Sequence, residues 1–196
     1  EHLEQLLSVG DSVTFDMPFR TMAGGYVTSP SLDDRCGMAA ILCAMEELQG
    51  QALPCSLSVL FSTQEELGER GAKIGAYTIA PDIALAVDVT FGDAGEKVGV
   101  CGKGPLIGIS PSLSREVSDA LIAAADAAQI PWQPEVMAGT TGTNADRFAV
   151  TRGGVRAGTV SIPLCHMHTP VEKIRTEDVA LTGKLLAAYV RGCASC

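Results

Sequence analysis

Beyond Pro30 the sequence alternates short apolar runs with stretches of helical periodicity, and this alternation limits the chain to few architectures. Residues 35–48 carry apolar side chains at helical spacing behind Asp33 or Asp34 as cap. Residues 56–62 read as a buried strand, 71–79 as a short helix and 82–89 as an apolar strand. After a glycine-rich excursion through Gly104-Pro105, residues 114–129 form a strongly amphipathic helical pattern. A strand over 132–137, a helical turn over 144–150, a strand over 155–162 and a closing helix over 176–191 complete the series. Strands separated by helices predict a layered α/β domain around a largely parallel, buried sheet. The first thirty residues differ in character. Residues 1–7 read as the inside of a helix, 9–15 as a turn and short strand, and 22–26 carry a Gly-Gly turn. We therefore divide the chain into a small β-rich unit, 1–29, and an α/β unit, 30–196.

With 196 residues, 46% of them hydrophobic, the chain can bury a proper core. Its longest apolar runs, such as 83–87, are too short to span a bilayer. A net charge of −9 argues against nucleic acid and anionic membrane surfaces as partners. No secretion signal is legible, and the seven scattered cysteines read as buried thiols of a reducing cytoplasm. The Cys193…Cys196 pair lacks the strand-to-helix setting of a redox motif. Cys165-His166-Met167-His168 has the composition of a soft metal site, but no second ligand cluster facing it is evident in the sequence.

The informative residues stand at strand ends, where open α/β sheets build their sites. Asp33-Asp34 lies between an extended segment and a helix, Glu65-Glu66 follows the run ending at Ser62, Asp88 ends an apolar strand, and His168 follows another. Each has an ordinary reading: a helix cap, a solvated loop pair, a paired buried acid, a loop histidine. Taken together, carboxylates and an imidazole converging on one sheet edge suit zinc, cobalt or manganese. Arg70, Arg147 and Arg152 are candidates for selecting acidic substrates, although surface arginines more often serve as salt-bridge partners.

Four segments, Ser31-Leu32-Asp33-Asp34-Arg35-Cys36-Gly37, the 62–72 run Ser-Thr-Gln-Glu-Glu-Leu-Gly-Glu-Arg-Gly-Ala, Ala86-Val87-Asp88-Val89-Thr90 and His168-Thr169-Pro170-Val171-Glu172, resemble the M42 metallo-aminopeptidases in the family's order. Gly102-Lys103-Gly104-Pro105 also resembles its pattern. The resemblance implies a layered α/β/α, zinc-exopeptidase-like domain with a mixed, largely parallel sheet, plus the tail of an inserted small β domain. It implies release of N-terminal residues from peptides, two divalent ions (zinc or cobalt), a cytoplasmic location and a homo-oligomer, dimeric or dodecameric. Asp33 then resembles the carboxylate bridging two metals, Glu66 and Asp88 terminal ligands on separate metals, His168 an imidazole ligand and Glu65 the general base. A cis Asp33–Asp34 peptide is implied as well. The family's further ligand, in an upstream His-x-Asp, has no counterpart here; His2-Leu3-Glu4 precedes the β unit and is not taken as a substitute. Asn144, in the 140–146 loop, replaces an Asp common in relatives. Two other readings stay open: another co-catalytic zinc exopeptidase or deacylase, and a portion that is catalytically incomplete without the upstream His.

Overall fold

The computed structural model describes residues 2–92 and 99–193. Its strands are β1 (Arg20–Thr21), β2 (Tyr26–Ser29), β3 (Ile83–Phe91), β4 (Leu106–Ile109), β5 (Gln133–Val136), β6 (Arg156–Cys165) and β7 (Glu172–Arg175). Its helices are α1 (Leu32–Leu48), α2 (Arg70–Ile79), α3 (Arg115–Ala127), α4 (Ala145–Ala149) and α5 (Thr176–Gly192). One mixed sheet runs β1-β2-β7-β6-β4-β5, and β3 lies along β6. The parallel β3–β6 ladder, from Ile83↔Arg156 to Phe91↔Leu164, is its spine. Because β3 fills one edge of β6, the opposite edge is shared. Antiparallel β4 takes Val160 and Ser161, and antiparallel β7 takes Leu164 and Cys165.

Side-chain alternation along β3 explains the layers. Ala84 and Ala86 face one side, packing with Ala72 and Ala76 of α2 and Ala145 and Phe148 of α4. Small residues on both partners let these short helices sit close to the sheet. Leu85 and Val87 face the other side, where α1, α3 and α5 supply Ala44, Leu121 and Leu185. Ile107, Leu121, Val160 and Leu185 are fully excluded from solvent. Each such aliphatic side chain contributes about 1.5–3 kcal/mol.

Several boundaries differ from the sequence reading. Residues 9–15 form no strand; Val9, Val13 and Phe15 stand exposed, so their alternation finds no sheet to join. Residues 3–5 make a single 3-10 turn instead of a helix, and Glu1 lies outside the described residues. Residues 56–62 are not a buried strand. No strand among the described residues pairs with them, and Leu57, Val59 and Phe61 are exposed. Without a ladder partner their backbone has nothing to register against. Strands β4 and β7 were not legible, and β2 joins the main sheet by pairing with β7 from Tyr26↔Arg175 to Ser29↔Glu172. The Cys193…Cys196 pair extends beyond the described residues. No helix among them is long and apolar enough to cross a membrane.

Candidate metal centre

Three loops deliver the candidate ligands to one place. The first is the entry to α1. Ser31 takes a left-handed conformation, and the Asp33–Asp34 peptide is cis, as the resemblance implies. Regular helix begins only after Asp34, whose Oδ1 accepts the Gly37 amide at 3.0 Å and so acts as the cap. A Cβ at position 37 would crowd the Asp34 carboxylate, so a larger residue there would displace this cap.

The second loop is the 3-10 turn Glu65–Leu67, flanked by left-handed Gln64 and Gly68. Its position is fixed by Gly71, whose amide donates to the Thr63 carbonyl at 2.9 Å. A Cβ on Gly71 would sit 2.4 Å from the Thr63 backbone nitrogen, so this approach requires glycine. The third loop follows β6 and carries His168, itself left-handed.

His168 Nε2 lies 2.9 Å from Asp33 Oδ2 and 3.4 Å from Glu66 Oε2. One ligand atom from each of Asp33, Glu66 and His168 falls within 4.8 Å of the others. Two of the predicted ligands thus flank the imidazole directly. Asp88 stands outside this triad: it does not end its strand as expected but is buried within β3, three residues before Phe91, and its Oδ1 accepts the Val89 amide at 2.8 Å.

Glu172, at the end of the His168-Thr169-Pro170-Val171-Glu172 motif, organises the site. Fully buried at the start of β7, it accepts the Asp33 amide at 3.1 Å and the His168 amide at 2.8 Å, one on each carboxylate oxygen. Its place four residues after His168 was the available signal; the role emerges only when β2 and β7 pair. Glu172→Gln replaces one acceptor with a donor. We expect a loss of about 1–3 kcal/mol in urea unfolding. Zinc affinity should fall roughly 10- to 100-fold in a competitive titration, as for other groups that orient ligands. Unchanged values in both assays would show that Glu172 does not position Asp33 and His168.

Crowded, desolvated carboxyls dominate the electrostatics. Burial, reinforced by the charge of Asp88, pushes Asp34 up to about 9. Burial likewise pushes Asp88 up to about 8 despite the Val89 amide, with Asp33, Glu65 and Glu66 adding to the rise. Asp33 is raised by burial and then by Glu66, against the lowering effect of His168. Burial and the neighbouring Glu66, Glu69 and Asp33 raise Glu65 to about 6. Since folding lifts Asp34 and Asp88 above the ordinary carboxylate range near 4, the folded chain binds protons that the unfolded chain releases. Stability of the metal-free chain should therefore fall as pH rises from about 4, where the unfolded carboxyls ionise, through about 8 to 9, where the folded ones do. Urea midpoints followed by circular dichroism in EDTA will show this, and saturating zinc should flatten the trend. A metal-free midpoint that rises with pH would contradict it.

A cleft of about 300 Å³ opens at the triad, lined by Asp33, Glu66, His168 and Glu172 together with Phe15 and Pro170. A separate groove of about 340 Å³ lies between α2 and α4 and includes Arg147 and Arg152. There Arg147 Nε pairs with Glu69 at 2.6 Å, while Arg152 donates to the Tyr77 carbonyl and covers its ring at 4.2 Å. Both arginines thus have structural partners. In the 140–146 loop, Asp146 accepts the Thr141 and Gly142 amides, and Asn144 donates to Ser62 Oγ at 3.1 Å. That bond ties the loop to the segment leading into Glu65.

The chain is 32% identical over 186 residues to a lysyl aminopeptidase of Pyrococcus furiosus, covering 93% of this chain and 53% of that protein. Its structure matches an aminopeptidase of the archaeon Desulfurococcus kamchatkensis with a TM-score of 0.87 at 31% identity, covering 99% of this chain and 57% of that one. The Pyrococcus horikoshii TET1 peptidase, which assembles into a tetrahedron or a large octahedral shell, matches with a TM-score of 0.79 at 29% identity, covering 91% and 54%. The chain thus spans about half the length of the relatives it matches. Residues 1–185 fit the model of the M42 glutamyl aminopeptidases, and the chain belongs to that family.

Proposed function

We propose that this chain carries the principal metal ligands and the general base of a metal-dependent aminopeptidase that releases N-terminal residues from peptides. The observation that carries this reading is the convergence of Asp33, Glu66 and His168 on one point beside Glu65. Two carboxylates and an imidazole form a donor set suited to zinc or cobalt. The surrounding excess of raised carboxyls is the electrostatic imprint of a site that calls for cationic charge. Asp33, Glu66 and His168 would hold one ion, and Asp88 would contribute to a second. Bound divalent ions supply Lewis acidity toward the scissile carbonyl and lower the pKa of water. Glu65 accepts the proton of the attacking water on its carboxylate and returns it to the departing amine nitrogen. A carboxyl raised to about 6 both takes and gives a proton near neutrality. Glu172 keeps Asp33 and His168 in register meanwhile.

A second reading has its own support. Met38, Leu42 and Met45 form an exposed stripe along α1, and Leu57, Val59 and Phe61 are exposed as well. An apolar face of this extent fits further polypeptide packing against this region, with an upstream His completing the second ion's ligands. In this reading 1–29 is the tail of an inserted β domain and the full protein is a cytoplasmic homo-oligomer, like the shell-forming TET1 peptidase in assembly.

Aminoacyl p-nitroanilides and their N-acetylated counterparts, assayed with zinc or cobalt, separate the possibilities. Cleavage only of substrates with a free amine is the expected result. Preference for the blocked series would mean a deacylase or a different co-catalytic exopeptidase. No turnover of either series by a metal-loaded chain would favour the incomplete portion.

A further inference from the structure

Cys101 and Cys165 are separated by 64 positions in sequence, yet their sulfurs stand 3.6 Å apart in the interior. Cys165 closes β6 and its Sγ donates to the Gly92 carbonyl at 2.7 Å. Cys101 donates to the Pro163 carbonyl at 3.4 Å, two residues before Cys165 on the same strand. Both thiols are therefore held by backbone acceptors in positions that face each other. Among the described residues no third His, Cys, Asp or Glu donor groups with the two sulfurs.

We propose that Cys101 and Cys165 are a redox-modification site, closed to a disulfide by a hydroperoxide and reopened by small thiols. One thiolate attacks an oxygen of the hydroperoxide; the O–O bond breaks, leaving a sulfenic acid and water or an alcohol. The second thiolate attacks the sulfenic sulfur, the S–S bond forms and hydroxide departs as water. Two thiols lose two electrons and two protons, and the hydroperoxide gains them. Closure needs the sulfurs, now 3.6 Å apart, to approach by about 1.5 Å, to the bonded distance near 2 Å.

The position gives the modification a target. Cys165 precedes His168 by three residues. Cys101 adjoins the turn whose Gly102 and Gly104 amides are both bound by the buried Asp178 carboxylate, at 2.6 and 2.9 Å. A bond between the sulfurs fastens the root of the His168 loop to a turn already anchored on α5.

The test is cysteine mapping of the full chain after hydrogen peroxide, with and without dithiothreitol. The expected result is a mass loss of about 2 Da, together with equal loss of alkylation at Cys101 and Cys165, a peptide cross-linked between them, and full reversal by dithiothreitol. In Cys101→Ser the cross-link disappears, and dimedone traps Cys165 as the sulfenic acid. The wild-type map stands alone should that variant fail to fold. Both thiols still alkylated after oxidation, protection of the pair by zinc with no cross-link, or a cross-link joining other cysteines would each overturn the proposal.

Discussion

Asp33→Ala is expected to weaken zinc and cobalt binding by more than about 100-fold, beyond the 10- to 100-fold that loss of an orienting group causes. The size of the effect follows from where Asp33 stands. Its carboxylate is 2.9 Å from His168 Nε2 and belongs to the triad with Glu66, and the family resemblance makes it the bridge between two ions. The fold should survive the change. The Glu172 bond is made by the Asp33 backbone amide, which alanine retains. Because burial and Glu66 already raise the Asp33 carboxyl, its removal also relieves repulsion in the metal-free state. Isothermal titration with zinc, paired with urea unfolding in EDTA, separates the two effects. Tight binding of a full complement of ions by a folded Asp33→Ala chain would refute the shared-ligand assignment.

Glu65→Gln should do the reverse, keeping the ions and abolishing the chemistry. An amide of the same shape cannot take a proton from water, so turnover should drop about 10²- to 10⁴-fold in any form of the enzyme that is active. Metal affinity should stay close to that of the unaltered protein. The pH profile supplies an independent check. Glu65, lifted to about 6 by burial and by Glu66, Glu69 and Asp33, works as a base only when ionised. The rate of the unaltered enzyme therefore has an acid limb, falling as Glu65 becomes protonated. In Glu65→Gln the residual rate should lack that limb. An unchanged rate would remove Glu65 from the mechanism.

Much of this was legible from the sequence because the relevant signals are local. The 3.6-residue periodicity of α3 and α5 and the apolar runs of β3 and β6 are set by faces that meet a single sheet. What escaped depends on partners distant in sequence. Residues 56–62 carry the alternation of a strand, but a strand exists only where a neighbour accepts its hydrogen bonds. The same holds for 9–15. The ligand residues stood out because acids rarely follow apolar strands without reason, and the structure gathers three of the four predicted ligands. Glu172 was harder to see. In Pro170-Val171-Glu172 it looks like an ordinary surface acid, and its burial arises because Ser29 of β2 pairs with it across the sheet. The facing sulfurs of Cys101 and Cys165 were hidden for the same reason, since the 165–168 cluster was matched against no neighbour that the sequence could reveal.

The most direct measurement is crystallographic: anomalous diffraction at the zinc absorption edge from zinc-soaked crystals of the chain. The arrangement described here requires a peak within about 2.0–2.2 Å of an oxygen of Asp33, an oxygen of Glu66 and a ring nitrogen of His168. A zinc peak held elsewhere, with those three side chains left bonded only to one another, would contradict the metal centre on which the proposed function rests.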